Sequence, residues 1–454
     1  MKPIVALVGR PNVGKSALFN RFAGERLAIV DDVPGTTRDR LFGQAEWNGR
    51  TFSIIDTGGI DPTHGGKTPL SIGSADFIDD IRKQAQVAIQ EADAVLFVND
   101  GESGITAPDR EVAEILRRSQ KKLPDGTFWP PIFVVVNKCE SRERRDQAGE
   151  FYELGLGDTY PISAIHGTST GDLLDALVAS FPTQEAEEED DSIKIAIVGK
   201  PNAGKSSLLN KLTGEERVIV SPIAGTTRDS IDTKMEFGGL QLTLIDTAGI
   251  RRRGKIDQGV EQYSVLRAFK SIERADVALL MIDATTGITA QDTHIAGFIL
   301  DEWKSCVVLV NKWDAIEKNN ETMEEFTTKI KRELNFMDYV PILFISAKTG
   351  QRMEQVLPMA LRVQEERLAR LTTSPINEII HKAQDAHPHP THAGRALKMF
   401  YGTQVRSDPP TFLIYDNEPK LMHFSYLRYI ENQIREQYNF LGTPIRIVTK
   451  GRRE

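Results

Sequence analysis

Short apolar runs alternate with helically spaced stretches along most of the chain, and they do so twice over. Residues 4–8, 51–55, 94–98 and 132–136 read as buried strands, and residues 195–198, 240–245, 277–282 and 306–310 match them in the second half. Helical patterns lie between, at 78–90, 109–118 and 260–271. Unbroken apolar strands separated by helices predict an α/β fold, a mostly parallel sheet with helices on both faces, whose ligands sit at the carboxyl ends of the strands. After residue 371 the rhythm changes to helix (375–386), strand (396–403), strand (411–415), helix (424–438) and strand (445–448), which predicts a small α+β sandwich. The expected organisation is a first α/β domain at 1–182, an acidic linker at 183–192, a second α/β domain at 193–371 and a third domain at 372–454. The linker expectation rests on a run of acids with no apolar partner, which self-repels and stays solvated.

Composition narrows the class. At 454 residues, 40% hydrophobic and 26% charged, the chain has the make-up of a soluble protein with several cores. A net charge of -8 excludes an overall basic, DNA-type surface and leaves nucleic-acid contact to local patches. The two cysteines, Cys139 and Cys306, have no neighbours at metal-ligand spacing, which points to a reducing compartment without disulfides or zinc. No apolar run approaches the ~20 residues of a membrane helix, and the first one is too short for a secretion signal. A cytoplasmic protein that engages neither DNA nor membrane is expected.

The candidate chemistry sits at the strand ends. Gly9-Arg10-Pro11-Asn12-Val13-Gly14-Lys15-Ser16 recurs as Gly199-Lys200-Pro201-Asn202-Ala203-Gly204-Lys205-Ser206, an offset of 190 (199 − 9). Both fit G-x-x-x-x-G-K-[ST] between a strand and a helix. Glycines let backbone N–H groups face phosphates, the lysine bridges the outer two, and the hydroxyl can ligate Mg²⁺. Asp56-Thr57-Gly58-Gly59 and Asp246-Thr247-Ala248-Gly249 repeat at the same offset, as do the Gly-Thr-Thr-Arg-Asp segments ending at Asp39 and Asp229. An offset held through three motifs means duplication of a whole domain. Asp56 and Asp246 are placed to hold Mg²⁺ with the loop serine, and the N–H groups of Gly59 and Gly249 to meet a terminal phosphate. Asn137-Lys138-Cys139-Glu140 and Asn311-Lys312-Trp313-Asp314 end two further strands. Their carboxylates can accept from N1–H and the exocyclic amine of guanine, a pair that adenine does not offer. Glu140 is one methylene longer than Asp, which leaves the base affinity of the first site in question. Ser163-Ala164 and Ser346-Ala347-Lys348 would close the base pockets. The first copy is longer between its DTxG and NKx[DE] motifs, with the excess expected as surface loops at 64–73 and 121–131.

Loop, GTTRD, DTxG, NKx[DE] and SA, in that order and in tandem, resemble the Der (EngA) family of Era-like GTPases that act in assembly of the large (50S) ribosomal subunit. The resemblance spans the whole chain. It implies two P-loop GTPase domains followed by a KH-like domain, binding of GTP and GDP, Mg²⁺, and ribosomal RNA and proteins as partners of a monomeric chain. The third domain lacks the G-x-x-G loop of ordinary KH domains. Thr37 and Thr227 correspond to the switch threonine that ligates Mg²⁺, with Thr36 and Thr226 as neighbours. Ile60 and Ile250 stand where a Ras-type enzyme orients water with Gln, so intrinsic turnover should be slow. Related GTPases with that substitution hold K⁺ on the loop asparagine, here Asn12 and Asn202; capping of the loop backbone is the alternative role. Glu261 is a candidate for positioning water, and Arg251-Arg252-Arg253 for contacting phosphate or RNA. The different-class alternative is a nucleotide-gated ribosome-binding scaffold in which one site binds nucleotide without useful turnover.

Overall fold

The computed structural model describes residues 2–23, 42–56, 92–124, 126–181, 191–214, 219–224, 231–247, 263–317, 319, 321–387, 397–418 and 422–451. The chain divides into two compact units, Met1–Glu187 and Glu188–Glu454.

In the first unit the strands are β1 (Ile4–Val8), β2 (Phe42–Trp47), β3 (Arg50–Asp56), β4 (Ala94–Asp100), β5 (Lys121–Lys122), β6 (Phe128–Trp129), β7 (Ile132–Asn137) and β8 (Thr159–Pro161). The main sheet runs β2-β3-β1-β4-β7-β8, parallel from β3 onward, with β2 antiparallel at the edge. Every residue of β1 is buried. Val5 and Leu7 pack with Leu18 and Phe19 of the helix Lys15–Ala23 and with Leu173 and Leu177 of the helix Thr170–Ala179. Ala6 and Val8, which alternate with them, are equally buried, so both faces of the strand are covered and the apolar run has no polar alternation. Each large side chain so buried contributes about 1.5–3 kcal/mol.

The second unit repeats this plan with β9 (Ile193–Gly199), β10 (Ile219–Ala224), β11 (Ile231–Phe237), β12 (Leu240–Ile245), β13 (Val277–Asp283), β14 (Ser305–Asn311) and β15 (Ile342–Phe344). Their order is β10-β11-β12-β9-β13-β14-β15, parallel from β12 onward. A separate three-stranded sheet follows, β16 (Met399–Ser407), β17 (Pro410–Asp416) and β18 (Arg446–Gly451), with β17 and β18 parallel. Helices Thr373–Ala386 and Phe424–Gln437 pack on it through Ile376, Ile380, Ile430 and Ile434. Among the described residues no helix is long and apolar enough to cross a membrane. Both cysteines are buried and free, and burial pushes the Cys139 thiol up to about 11.

The expected strands and the third-domain order helix-strand-strand-helix-strand are all present. Five strands of the main sheets, β2, β8, β10, β11 and β15, lie where no strand was expected. The segment 121–131, expected as an open loop, instead folds back as the short β5–β6 ribbon, paired Lys121 to Trp129 and Lys122 to Phe128. The ribbon stays at the surface, Phe128 being exposed. The expected helix at 78–90, the loop at 64–73 and most of the acidic segment lie outside the described residues.

The third sheet docks on the amino ends of β14 and β15, away from the motif-bearing carboxyl ends. Gly442 inserts there as a pseudo-strand residue: its carbonyl accepts from Cys306 N at 2.7 Å and its N–H donates to Tyr339 O at 3.0 Å. Around it Ser305 and Thr443 share a hydroxyl hydrogen bond of 3.0 Å, and Arg367 donates to Asp408 at 2.5 Å and to the Trp303 carbonyl at 2.6 Å. Gly442 has φ +66°, and a Cβ there would lie 2.7 Å from both the Cys306 carbonyl oxygen and a Val363 methyl. Gly442→Ala should therefore cost about 1–3 kcal/mol from strain and overpacking. A urea-denaturation midpoint for the full chain that does not fall would contradict this reading of the junction.

Candidate functional site

In each α/β domain the strand ends bring the described motif segments to one edge of the sheet. The first loop leaves β1 at Gly9, whose backbone passes so close to the Val98 carbonyl that a Cβ would sit 2.2 Å from its oxygen. It then enters the helix Lys15–Ala23. Lys15 is buried, and its ammonium donates to the carbonyls of Gly9 at 2.7 Å and Arg10 at 2.8 Å. Desolvation lowers its pKa to about 8, opposed by attraction to Asp56 and reinforced by repulsion from Arg10. Ser16 donates its hydroxyl to Asp56 Oδ2 at 3.0 Å. Arg10 is drawn aside by Asp109 at 2.7 Å and Ser103 at 3.0 Å.

Asn137, 3% exposed, joins this loop to the next. Its amide nitrogen donates to the Val13 carbonyl at 2.8 Å, and its Oδ1 accepts from Ala164 N at 2.9 Å. Gly14 lies directly against that amide: an added Cβ would be 2.1 Å from Asn137 Nδ2. Lys138 pairs with Asp100 at 2.6 Å, and Ser163 donates to Glu140 at 3.0 Å. Desolvation pushes the Glu140 carboxyl up, but hydrogen bonds from the backbone and Ser163, with the charges of Arg144 and His166, leave it below the usual range. Arg21, in the last turn of the first helix, donates to the Ala164 and Ile165 carbonyls.

The second copy reproduces the geometry. Lys205 donates to Gly199 O and Lys200 O, both at 2.6 Å; Asn311 donates to Ala203 O at 2.7 Å and accepts from Ala347 N at 2.9 Å. Ser346 donates to Asp314 at 2.6 Å, and Lys312 pairs with Asp283 at 2.6 Å. Against desolvation, the Lys312 and Thr285 hydrogen bonds hold the Asp283 carboxyl below the usual range. Three details differ. Trp313, in place of Cys139, packs its ring tilted against Phe344 and meets Phe326 edge-on. Asp246 takes a left-handed backbone, φ 54°, with its N–H on Asp232 at 2.9 Å, while Thr247 and Thr233 share a hydroxyl bond of 2.8 Å. Lys200 donates to Thr286 where Arg10 holds Asp109, and the matching Asp292 keeps Oδ1 buried without a partner among the described residues.

The structure thus brings together, in the first copy, Gly9, Arg10, Pro11, Asn12, Val13, Gly14, Lys15, Ser16, Asp56, Asn137, Lys138, Glu140, Ser163 and Ala164. In the second it gathers Gly199, Lys200, Pro201, Asn202, Ala203, Gly204, Lys205, Ser206, Asp246, Thr247, Asn311, Lys312, Asp314, Ser346, Ala347 and Lys348. Thr37, Thr57, Gly58, Gly59, Ile60, Thr227, Ala248, Gly249, Ile250, the arginines 251–253 and Glu261 lie outside the described residues. The sequence reading did not include Asp100 and Asp283, the partners of the motif lysines. Nor did it include Asp109 and Asp292, which cap helices Ala107–Ser119 and Ala290–Asp301 in boxes with Thr106 and Thr289. Their signal was available: Ile-Thr-Ala-Pro-Asp and Ile-Thr-Ala-Gln-Asp recur at matching places.

Known proteins match along the whole length. Residues 4–138 and 194–312 match a family described as 50S ribosome-binding GTPase, and residues 370–450 match the KH-domain-like C-terminal region of EngA bacterial GTPase enzymes. GTPase Der of Herpetosiphon aurantiacus is 54% identical, with 100% of this chain and 97% of the relative covered. GTPase Der of Geobacillus kaustophilus is 50% identical, with 99% of each covered. A crystal structure of Aquifex aeolicus Era bound to GDP.AlF4- is 25% identical, covers 57% of this chain and 92% of its own, and has a TM-score of 0.29. The chain belongs to the GTPase Der family, GTP-hydrolysing enzymes, and carries two P-loop GTPase domains with a C-terminal KH-like domain.

Proposed function

We propose that this chain is a cytoplasmic, monomeric GTP switch with two working sites that times its attachment to, and release from, a maturing large ribosomal subunit. The observation that carries the reading is that, among the described residues, the hydrogen bonds joining the phosphate loop, the NKx[DE] motif and the SA loop occur twice. The ribosomal part draws support from the description of the matched family, whose members bind the 50S particle. Proposed domain limits are those of the sequence pattern, 1–182, 193–371 and 372–454.

In the proposed reaction water attacks the γ-phosphoryl group of GTP and GDP leaves. Lys15 has three N–H donors, two of which rest on the loop carbonyls, so the third is directed to phosphate oxygens. Lys205 is assigned the same role. Glycine N–H groups of the loops and of Gly59 and Gly249 meet the developing charge. Asn137, Asn311, Ser163, Ala164, Ser346, Ala347 and Lys348 shape the base pockets, in which Glu140 and Asp314 accept from guanine. The facing hydroxyl and carboxylate of Ser16 and Asp56 are hard oxygen donors that suit Mg²⁺, with Thr37 as a further ligand; Ser206, Asp246 and Thr227 are proposed for the second site. When bound, Mg²⁺ neutralises charge between the β- and γ-phosphates. Asn12 and Asn202, both exposed in left-handed backbone at φ 66° and 61°, present amide oxygens suited to K⁺, which would add positive charge where no glutamine or arginine supplies it.

Turnover of Lys15→Ala and Lys205→Ala tests whether both sites work. Each variant should retain only the other site's hydrolysis, and the double variant should lose about 100-fold or more. A single variant with undiminished turnover would make its site the scaffold instead. Co-sedimentation with large subunits should occur with a non-hydrolysable GTP analogue and vanish with GDP; equal binding in both states would refute the switch.

The depressed Lys15 pKa sets a pH window. Bound phosphates favour the ammonium, so affinity is full below pH 8 and falls as pH rises through it. In a Lys205→Ala background, GTP should bind the first site about fourfold more weakly at pH 8.5 than at pH 7. Lys15→Arg, which does not titrate there, should show a flat profile. Phosphate release in KCl against NaCl at matched ionic strength addresses the potassium assignment. Strong stimulation by KCl that Asn12→Ala and Asn202→Ala abolish is expected; equal slow rates in the two salts would remove K⁺ from the mechanism.

A further inference from the structure

The carboxylate that ends the first base motif is the longer one, and the structure holds it by more than the serine that suffices to orient a motif carboxylate. Ser163 donates to Glu140 Oε1 at 3.0 Å, as Ser346 does to Asp314 in the second copy at 2.6 Å. Oε2 of Glu140 is taken by Arg144 Nη1 at 3.2 Å. The same nitrogen donates to the Lys138 carbonyl at 3.2 Å and pairs with Glu102 at 2.9 Å. The backbone of Arg144 is fixed too: its N–H donates to Ser141 Oγ, the cap of the helix Arg142–Gln147, at 3.3 Å. Arg144 is thereby anchored on three sides, and Glu140 is clamped at both oxygens.

Glu has one more rotatable bond than Asp, so an unsupported Glu140 loses more freedom when it settles against a base. Each carboxylate oxygen carries two lone-pair sites, so one donor apiece leaves both oxygens able to accept from N1–H and the amine of guanine. We infer that Arg144 is a specificity-determining positioning residue of the first site, which holds Glu140 in the orientation that reads the guanine 2-amino group and makes a glutamate serve where an aspartate is the simpler choice. The inference rests on the reading of Glu140 as the guanine acceptor. Lys318, at the matching place in the second copy, lies outside the described residues.

The test uses the full chain with Lys205→Ala, so that only the first site binds. Calorimetric affinities for GDP and for IDP, which lacks the 2-amino group, give a selectivity ratio. Arg144→Ala should lower that ratio about fivefold, the effect of freeing one ordered side chain. Arg144→Lys should lower it in the same direction, because the lysine ammonium ends one bond short of the Nη1 position from which all three oxygens are reached. In a Glu140→Asp background, whose carboxylate is too short to meet Arg144, Arg144→Ala should change the ratio less than about twofold. Equal losses of GDP and IDP affinity, or the same loss in the Glu140→Asp background, would reduce Arg144 to a structural tether and overturn the inference. Glu140→Ala separates the two levels of the argument. If it leaves the GDP/IDP ratio unchanged, Glu140 does not read the base and the underlying assignment fails; if it collapses the ratio while Arg144→Ala does not, only the role of Arg144 fails.

Discussion

A buried primary amide ties each loop cluster together. Asn137 and Asn311 each donate to a carbonyl of the phosphate loop and accept from the N–H of the alanine in the SA loop. An aspartate would bring two acceptors to a place that needs one donor. A glutamine would extend the amide by a methylene into a loop that already touches it. The contact also explains the second glycine of the motif in a way the phosphate alone does not. Gly14 and Gly204 take φ 97° and 100°, and a Cβ at either would fall within 2.2 Å of the asparagine amide. Internal packing alone therefore demands the glycine that the motif specifies, and the phosphate loop cannot relax independently of the SA loop.

In the second unit the same asparagine stands at one end of a strand whose other end is also committed. β14 begins with Ser305 and Cys306 bonded to Thr443 and Gly442, and ends with Asn311 bonded to Ala203. Seven residues span roughly 20 Å, and each of them is buried. The KH-like domain is thus fastened to the strand that also carries the base motif. Its missing G-x-x-G loop fits this use of the fold, since one end of it is spent on an intramolecular junction where Arg435 stacks on the Tyr339 ring.

Much of this was legible in the sequence because the strands that matter are buried on both faces. Their apolar runs end where the motif begins, so 94–98, 132–136 and 277–282 fell within a residue or two of the observed strands. Strands β2 and β11 escaped because they alternate: Phe-Gly-Gln-Ala-Glu-Trp and Ile-Asp-Thr-Lys-Met-Glu-Phe have no unbroken apolar run, while β10, at the sheet edge, has Ser221-Pro222 in its middle. The ribbon at Lys121–Trp129 depends on a single pairing of two short segments that propensity does not single out. The carboxylates Asp100 and Asp283 were passed over for another reason. Each looks like an ordinary strand-end acid until the fold lays the motif lysine across it, a contact 38 residues away in one copy and 29 in the other.

The two copies reach one geometry through different residues, and the differences fall beside the site, away from the shared hydrogen bonds. In the first, Arg10 satisfies the helix-capping Asp109, and an arginine-held Glu140 ends the NKx[DE] motif. In the second, the shorter Lys200 reaches Thr286 and leaves one oxygen of the buried Asp292 without a partner; desolvation accordingly raises that carboxyl's pKa. There the base carboxylate is an aspartate on a 3-10 turn whose Trp313 is wedged between Phe344 and Phe326. Both copies share the ion pair of the motif lysine; around it the first adds partly exposed charge pairs of Arg144, and the second adds aromatic packing about the buried Trp313. Ion pairs of the first kind weaken with salt, whereas packing of the second kind does not. Duplication has preserved the positions of the reacting groups while letting the forces that hold them diverge, which gives the two sites different sensitivities to their surroundings without any change in the motifs.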